Sequence, residues 1–189
     1  MSNAIEIEAK ALIKKEEYEK LLKLFDSTDS YCQTNYYIDN DESLLKKEGI
    51  ALRIREKENT LQMTLKTPLS QGLLEKNETL KPAEFEAFKK GIFPANDLKR
   101  FLTMLDVNVS TLTIITSLTT KRLDIQYEGG LLSIDENHYS GHIDYEVELE
   151  YNNEADAERL LEELLTKNGI PFALNKKTKV ARALAAVGR

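Results

Sequence analysis

Cysteine is nearly absent from this chain of 189 residues, and histidine occurs only twice. The single cysteine, Cys32, has no partner for an internal disulfide, and no Cys/His spacing matches a zinc site, so disulfide scaffolds and zinc fingers are excluded. We expect a buried or half-buried thiol in a reducing compartment. Runs of about 18 apolar residues are also lacking, and the first residues, MSNAIEIEAK, include no apolar signal core. We therefore expect a cytoplasmic protein that does not engage a membrane.

Positive charge is in the minority. The 26 Lys and Arg residues stand against 32 Asp and Glu residues, which gives a net charge of −6 and argues against general binding of nucleic acid. Any site for an anion must therefore be local. The 41% of apolar residues, the 8 glycines and the 4 prolines are typical of a globular protein, and the length favours a single domain over residues 1–189.

Period-two alternation of apolar and polar residues predicts a chain rich in strands. We predict eight strands, at about 4–10, 33–39, 50–57, 60–66, 111–117, 119–127, 130–135 and 142–151. Helical spacing of apolar residues predicts helices at 14–25 and 154–167, one that begins near Pro82, one capped by Asn96 and a last one over about 176–186. Helices interspersed among strands indicate an α+β fold with a mainly antiparallel sheet.

The alternation also gathers charged residues on one face of six strands. Successive side chains of a strand point to opposite faces, so Arg53 and Arg55 share one face while Leu52 and Ile54 share the other. The remaining polar sets are Glu6, Glu8 and Lys10; Gln62, Thr64 and Lys66; Arg122 and Asp124; Ser133 and Asp135; and Glu146, Glu148 and Glu150.

A charged face of this kind has two explanations. An antiparallel sheet commonly has one solvated face, and charges line it. However, carboxylates at two-residue spacing repel one another unless a cation lies between them, and arginine is suited to forked contacts with phosphate. If the eight strands closed into a barrel, the charged face would line a lumen with room for one small ligand, and the helices would cover the apolar outside.

Seven short segments resemble the CYTH family, the triphosphate tunnel metalloenzymes. They are EIEAK at 6–10 with the preceding Ile5, RIR at 53–55, LKTP at 65–68, TKR at 120–122, LLSID at 131–135, YEVELE at 145–150 and TKVAR at 178–182. The segments occur in the family's order over nearly the whole chain, and the resemblance is closest to the small stand-alone bacterial members.

The resemblance implies an eight-stranded antiparallel β-barrel, or tunnel, with a charged lumen and helices packed on its outside. It also implies a divalent metal, Mg²⁺ or Mn²⁺, which agrees with ligands that are all carboxylate oxygens. The implied substrate-binding residues are Lys10, Arg53, Arg55, Lys66, Arg122, Lys179 and Arg182, and the implied metal ligands are Glu6, Glu8, Asp135, Glu146 and Glu148. Glu8 and Glu148 are equal candidates for the catalytic base. The segment NKK at 175–177 offers a second register, in which Lys176 or Lys177 takes the place of Lys179.

The activity that follows is metal-dependent hydrolysis of inorganic triphosphate or of a small triphosphorylated molecule. Two alternatives stay open: an adenylyl cyclase that converts ATP to cyclic AMP and pyrophosphate, and a sensor that binds polyphosphate without turnover. The oligomeric state is also open, with a homodimer as one alternative.

Overall fold

The computed structural model describes residues 7–26, 29–68 and 73–189. Within these ranges the strands are β1 (Glu8–Ile13), β2 (Tyr31–Asp39), β3 (Ala51–Lys57), β4 (Thr60–Pro68), β5 (Leu73–Leu80), β6 (Thr113–Tyr127), β7 (Gly130–Tyr139) and β8 (His142–Glu150). The helices are α1 (Lys15–Phe25), α2 (Leu44–Lys47), α3 (Pro82–Lys89), α4 (Asp97–Met104), α5 (Glu154–Lys167) and α6 (Lys179–Ala186), and a short 3-10 helix covers Val109–Thr111.

The strands form one eight-stranded sheet in the order β1-β8-β7-β6-β2-β3-β4-β5. The pairs β1 with β8, β2 with β3, β3 with β4, β4 with β5, β6 with β7 and β7 with β8 are antiparallel. The predicted α+β class with an eight-stranded antiparallel sheet is therefore confirmed. Over the described residues the order has β1 and β5 at its two ends, so closure into a barrel stays a prediction.

Two details of the strand prediction are wrong, and they compensate in the count. From Thr113 onward the segments predicted at 111–117 and 119–127 form one strand, β6, because Ser117 and Leu118 do not interrupt the extended backbone. Strand β5 is not predicted from the alternation, because its sequence LLEKNETL places charged or polar residues on both faces. Charges of this kind are typical of a strand at the edge of a sheet.

The predicted helices are all present, and the short α2 is an addition. Pro82 lies in the first turn of α3, where its missing N–H costs nothing. Asn96 caps α4, because its side-chain oxygen accepts a hydrogen bond from the backbone N–H of Lys99 at 3.0 Å. Helix α6 begins at Lys179, later than the predicted 176.

Contacts divide the described chain into two compact units. The first unit contains Gln33–Leu118 and Ala183–Arg189, and the second contains residues 7–32 and Thr119–Arg182. Each unit has its own apolar core. That residues 1–189 act as a single domain stays a prediction.

In the second unit, one face of the strands packs beneath helices α1 and α5. Its core contains Ala9, Ala11, Leu123, Leu132, Ile134, Val147 and Leu149 from the strands, with Leu21 from α1 and Leu161 and Leu165 from α5. Burial of a large apolar side chain contributes about 1.5–3 kcal/mol, so this layer stabilises the unit. The charged residues alternate with the apolar ones and therefore lie on the opposite face, which points away from α1 and α5.

The first unit repeats this arrangement with other helices. Its core contains Leu52, Ile54, Met63 and Leu65 from β3 and β4, with Phe85 and Phe88 from α3 and Leu98 and Leu102 from α4. In each unit, helices therefore cover the apolar face of the strands.

The structure bears on the burial predicted for Cys32 and on the predicted absence of a membrane span. Cys32 is exposed rather than buried or half-buried, because it lies on the face of β2 opposite to that of the next residue, Gln33, whose side chain is buried. None of the helices in the described ranges combines the length and the apolar character needed to cross a membrane.

Candidate metal and phosphate site

Strand register brings predicted charged residues of the second unit onto one face. Arg122 on β6 lies opposite Asp135 on β7, and Asp135 lies opposite Glu146 on β8. Two residues along β8, Glu148 lies opposite Lys10 on β1. Because side chains alternate along a strand, these five residues project from the same side of the sheet.

Three of the predicted metal ligands form a carboxylate triad, composed of Asp135, Glu146 and Glu148. One oxygen from each residue lies within 4.8 Å of the other two oxygens. Asp135 and Glu146 are fully buried, and the side chain of Glu148 is 13% exposed. Buried carboxylates in such a cluster suit a hard divalent cation, which prefers oxygen ligands.

Arg122 neutralises two members of the triad. Its Nε and Nη2 donate to the two oxygens of Asp135 at 2.7 and 2.6 Å, and Nη2 also donates to Oε2 of Glu148 at 2.6 Å. A forked, charge-assisted contact fixes the plane of a carboxylate as well as its position. Arg122 therefore orients the oxygens that a metal would need.

Lys179, at the start of α6, contacts the whole triad. Its Nζ lies close to Asp135 Oδ2 (2.9 Å), Glu146 Oε2 (2.7 Å) and Glu148 Oε1 (2.5 Å). Lys176 and Lys177, the alternatives of the second register, are exposed. The structure thus brings Lys179, and neither of these two, to the carboxylates.

Arg182, one turn further along α6, also binds Glu146. Its Nη1 and Nη2 donate to the two oxygens of Glu146 at 3.0 and 2.9 Å, and its Nε donates to Asp144 at 2.8 Å. These ion pairs anchor the first turn of the helix to strand β8. In this arrangement Arg182 orients a triad carboxylate, although the sequence predicts it to bind substrate.

Burial and ion pairing act against each other on the titration of the triad. Burial raises the pKa of Glu146, but hydrogen bonds from Arg182 and the charge of Lys179 outweigh it and lower the pKa to about 2. For Glu148, burial and the neighbouring charge of Asp135 outweigh the attraction of Lys179, so its pKa is raised. Burial opposes the charge on Lys179, yet the three carboxylates hold its pKa above the ordinary value.

Two residues that sequence reasoning missed complete the site. Asp144 accepts hydrogen bonds from Arg182 and from the hydroxyl of Tyr139, the latter at 2.6 Å. Asn175 donates from Nδ2 to Glu146 Oε1 at 2.8 Å. Asp144 precedes Glu146 by two positions on the same strand face, so the alternation could have identified it. Asn175 lies in an irregular segment, and only the fold brings it to the triad.

The N-terminal strand β1 contributes Glu8 and Lys10 to the charged face. Glu8 lies opposite Glu150, and its carboxylate accepts a hydrogen bond from Lys10 Nζ at 2.5 Å. Its side chain is 38% exposed, in contrast to the buried triad. Glu6, the other predicted metal ligand of this segment, lies outside the described residues.

In the first unit, β3 and β4 carry the other predicted cations on one face. Arg53 lies opposite Tyr37 on β2 and Thr64 on β4. Its Nε is buried and has no hydrogen-bond acceptor among the described residues. A buried donor without an acceptor costs about 1–3 kcal/mol, so its presence points to an acceptor supplied by a ligand.

Arg55 and Lys66 share that face and contact protein groups. Arg55 Nε donates to Asn35 Oδ1 at 3.1 Å, and Lys66 Nζ lies 3.0 Å from Glu75. Burial raises the pKa of Glu75, but hydrogen bonds from Asn77 and Lys66 outweigh it and lower the pKa. Polar neighbours therefore hold both cations in place on the sheet.

Residues 4–184 match the CYTH domain family, and the chain belongs to that family. The resemblance seen in the seven sequence segments is thereby confirmed. A Bacillus subtilis (strain 168) protein named as a triphosphatase, YjbK, is 33% identical over 184 residues, which cover 96% of this chain and 95% of that protein.

Solved structures show the same fold. A Bacillus halodurans protein named as an adenylate cyclase has a TM-score of 0.82 at 36% identity, with 96% of this chain and 98% of that chain covered. A Hippeastrum protein, named as an adenylyl cyclase and described as having a dominant triphosphatase activity, has a TM-score of 0.78 at 21% identity, with 96% of each chain covered. At that identity the likeness shows the fold alone.

Proposed function

We propose that this protein hydrolyses a triphosphate, either inorganic triphosphate or a small triphosphorylated molecule, with the help of a divalent metal ion. The observation that carries the proposal is the buried carboxylate triad with three cations in contact with it. Phosphoryl transfer needs a metal held by oxygens and positive groups that bind phosphate, and both are present on one face of the sheet. The relation to YjbK, named as a triphosphatase, supports this function over the alternatives.

The triad is the centre of the proposed metal site, with Glu6 and Glu8 as further proposed metal ligands. Its donor set of carboxylate oxygens fits Mg²⁺ or Mn²⁺. Such an ion, when bound, polarises phosphate oxygens and lowers the pKa of water. Protein groups keep the ligands in place, because Arg122 orients Asp135 and the Arg182 guanidinium orients Glu146.

Seven cations are proposed to bind the triphosphate. They are Lys10, Arg122, Lys179 and Arg182 of the second unit and Arg53, Arg55 and Lys66 of the first. At an effective dielectric constant near 20, one close pair of opposite charges contributes about 4 kcal/mol before desolvation. Several such contacts would concentrate a polyanion on a protein whose net charge is −6. The buried Nε of Arg53 supports a role in binding an anionic oxygen.

We propose further that the eight strands close into the tunnel that the family resemblance implies, so that residues 1–189 act as one tunnel domain. The alternation of an apolar face, covered by α1 and α5 in one unit and by α3 and α4 in the other, with a charged face on the opposite side supports this proposal. Closure would exclude bulk water and strengthen the electrostatic contacts with phosphate.

Glu8 and Glu148 are the proposed proton acceptors for the attacking water. Glu148 belongs to the triad, and Glu8 lies on the neighbouring strand with a more exposed carboxylate. A general base must come within hydrogen-bond reach of the proton that it takes, and both residues lie on the charged side of the sheet. Comparison of Glu8→Gln with Glu148→Gln under saturating metal would separate the two.

The decisive experiment incubates the purified protein with Mg²⁺ or Mn²⁺ and tripolyphosphate, ATP or thiamine triphosphate. Release of phosphate that requires the metal supports the proposed hydrolase. Glu146→Gln is expected to abolish the release, whereas the control Glu162→Gln, on the exposed side of α5, is expected to keep it.

Two other outcomes would identify the alternative functions. Cyclic AMP with pyrophosphate from ATP would show an adenylyl cyclase, the activity in the name of the Bacillus halodurans relative. Tight binding of triphosphate without turnover would show a polyphosphate sensor. A cytoplasmic location and independence from nucleic acid and membrane stay predictions from the sequence, and the oligomeric state stays open, with a homodimer as one alternative.

A further inference from the structure

The ammonium of Lys179 occupies the space between the three carboxylates of the triad. Its Nζ is 2.5–2.9 Å from one oxygen of Asp135, of Glu146 and of Glu148. A lysine ammonium has three N–H donors and no acceptor, so one donor is available for each carboxylate. The Lys179 side chain is only 15% exposed, which leaves the carboxylates as its main partners.

A divalent ion bound by the triad would draw on the same three carboxylates. Mg²⁺ binds oxygen ligands at about 2.0–2.1 Å, so an ion held by all three carboxylates would come close to the position of Nζ, which contacts all three. Two cations that compete for the same lone pairs also repel each other, so the ammonium and the metal exclude one another.

We propose that Lys179 is a built-in counter-ion of the metal site, which a divalent cation must displace in order to bind. The proposal rests on the function proposed above, because it takes the triad as the metal site. Lys179 separates three carboxylates that would otherwise repel one another, and it thereby lowers the affinity of the site for metal.

The two arginines in contact with the triad, Arg122 and Arg182, are held by more hydrogen bonds to a single carboxylate than Lys179 is. Arg122 donates hydrogen bonds to both oxygens of Asp135. Arg182 donates to both oxygens of Glu146 and also to Asp144. Lys179 makes single contacts through a point charge on a flexible four-carbon stem. Arg182 therefore keeps the first turn of α6 anchored while the Lys179 side chain rotates away.

Displacement also accounts for the predicted role of Lys179 as a phosphate ligand. An ammonium bound to three carboxylates has no donor left for phosphate, whereas a released one has three. Metal binding would thus prepare Lys179 for the triphosphate, which couples the two binding events.

The test is a titration with Mn²⁺ alone, without any phosphate compound, followed by the electron paramagnetic resonance signal of the free ion. Lys179→Met removes the ammonium and keeps the length of the side chain, and Lys176→Met, on the exposed part of the same segment, is the matched control. We expect Lys179→Met to bind Mn²⁺ at least about tenfold more tightly than wild type, which corresponds to about 1.4 kcal/mol of lost competition. Lys176→Met should bind as wild type does. Equal or weaker binding by Lys179→Met would overturn the proposal.

A second measurement uses the wild-type protein and does not depend on the folding of a variant. In nuclear magnetic resonance spectra of the lysine side chains, the Lys179 ammonium should give a protected signal in EDTA, and saturating Mg²⁺ should remove or shift it. A signal that persists unchanged at saturating Mg²⁺ would refute displacement.

The outcomes separate this inference from the proposed function. Metal that binds with the same affinity in wild type and Lys179→Met defeats the inference alone, and hydrolysis could still occur. Metal that binds with displacement of Lys179 but without phosphate release defeats the hydrolase function alone. Failure of Mn²⁺ and Mg²⁺ to bind at all overturns both.

Discussion

Arg122 and Asp135 lie directly opposite each other on β6 and β7 and form a two-pronged ion pair. Arg122 Nε donates a hydrogen bond to Asp135 Oδ1 at 2.7 Å, and Arg122 Nη2 donates one to Asp135 Oδ2 at 2.6 Å. Asp135 is fully buried and the side chain of Arg122 is 19% exposed, so water cannot fully solvate either group when its partner is removed. The pair links a buried charge of the proposed metal site to the stability of the fold.

Truncation of Arg122 should therefore destabilise the protein. We expect Arg122→Ala to lower the free energy of unfolding by about 3–5 kcal/mol in metal-free buffer, because it leaves Asp135 buried and without its forked partner. Arg122→Lys keeps the charge but not the fork and should give an intermediate loss. Urea denaturation measures both, with the exposed Arg100→Ala as control. A loss for Arg122→Ala no larger than that of the control would contradict the prediction.

Glu146 should give the fold a specific sensitivity to acid. Its pKa of about 2 in the folded protein lies below the ordinary 4.5, so ionised Glu146 stabilises the fold above about pH 4.5, and this stabilisation is lost as the pH falls toward 2. We expect Glu146→Gln to lower the free energy of unfolding by about 3 kcal/mol at neutral pH. The difference from wild type should shrink between pH 4.5 and pH 2, as urea unfolding in EDTA would show. A difference independent of pH would mean that ionisation of Glu146 is not its cause.

Arg55 should matter more for substrate than for stability. We expect Arg55→Ala to raise the KM for tripolyphosphate severalfold and to change the melting temperature little, because the residue lies on the charged face and outside the apolar core. Steady-state kinetics and thermal melting provide the two readouts, and Arg100→Ala should alter neither. The reverse result, a large loss of stability with an unchanged KM, would identify a structural arginine.

Glu8 should be needed for turnover and dispensable for folding. We expect Glu8→Gln to abolish metal-dependent phosphate release while the melting temperature is largely kept, because its side chain is 38% exposed and outside the apolar layer. Glu162→Gln serves as the matched control. Unchanged activity in Glu8→Gln would remove this residue from the site and leave Glu148 as the proposed base.

The local pattern of the sequence was sufficient to predict much of this protein. Alternation along a strand is a property of neighbouring residues, so the face shared by Arg53 and Arg55, and the one shared by Glu146 and Glu148, could be predicted before any pairing was known. The apolar spacing of α5 and the cap of α4 are equally local signals. The order of the seven motifs along the chain was enough to identify the family.

What the tertiary structure decided depends on residues that are distant in sequence. Strand β5 was missed because its sequence shows no alternation of apolar and polar residues. It is a strand because it pairs with β4. Asn175 reaches Glu146, and Lys179 reaches Asp135, across separations of 29 and 44 residues. Such contacts are fixed by strand register and by the placement of α6, both of which follow from the burial of apolar surface elsewhere. The sequence therefore specified which charges share a face, and the packing of the chain decided which oxygen each cation meets.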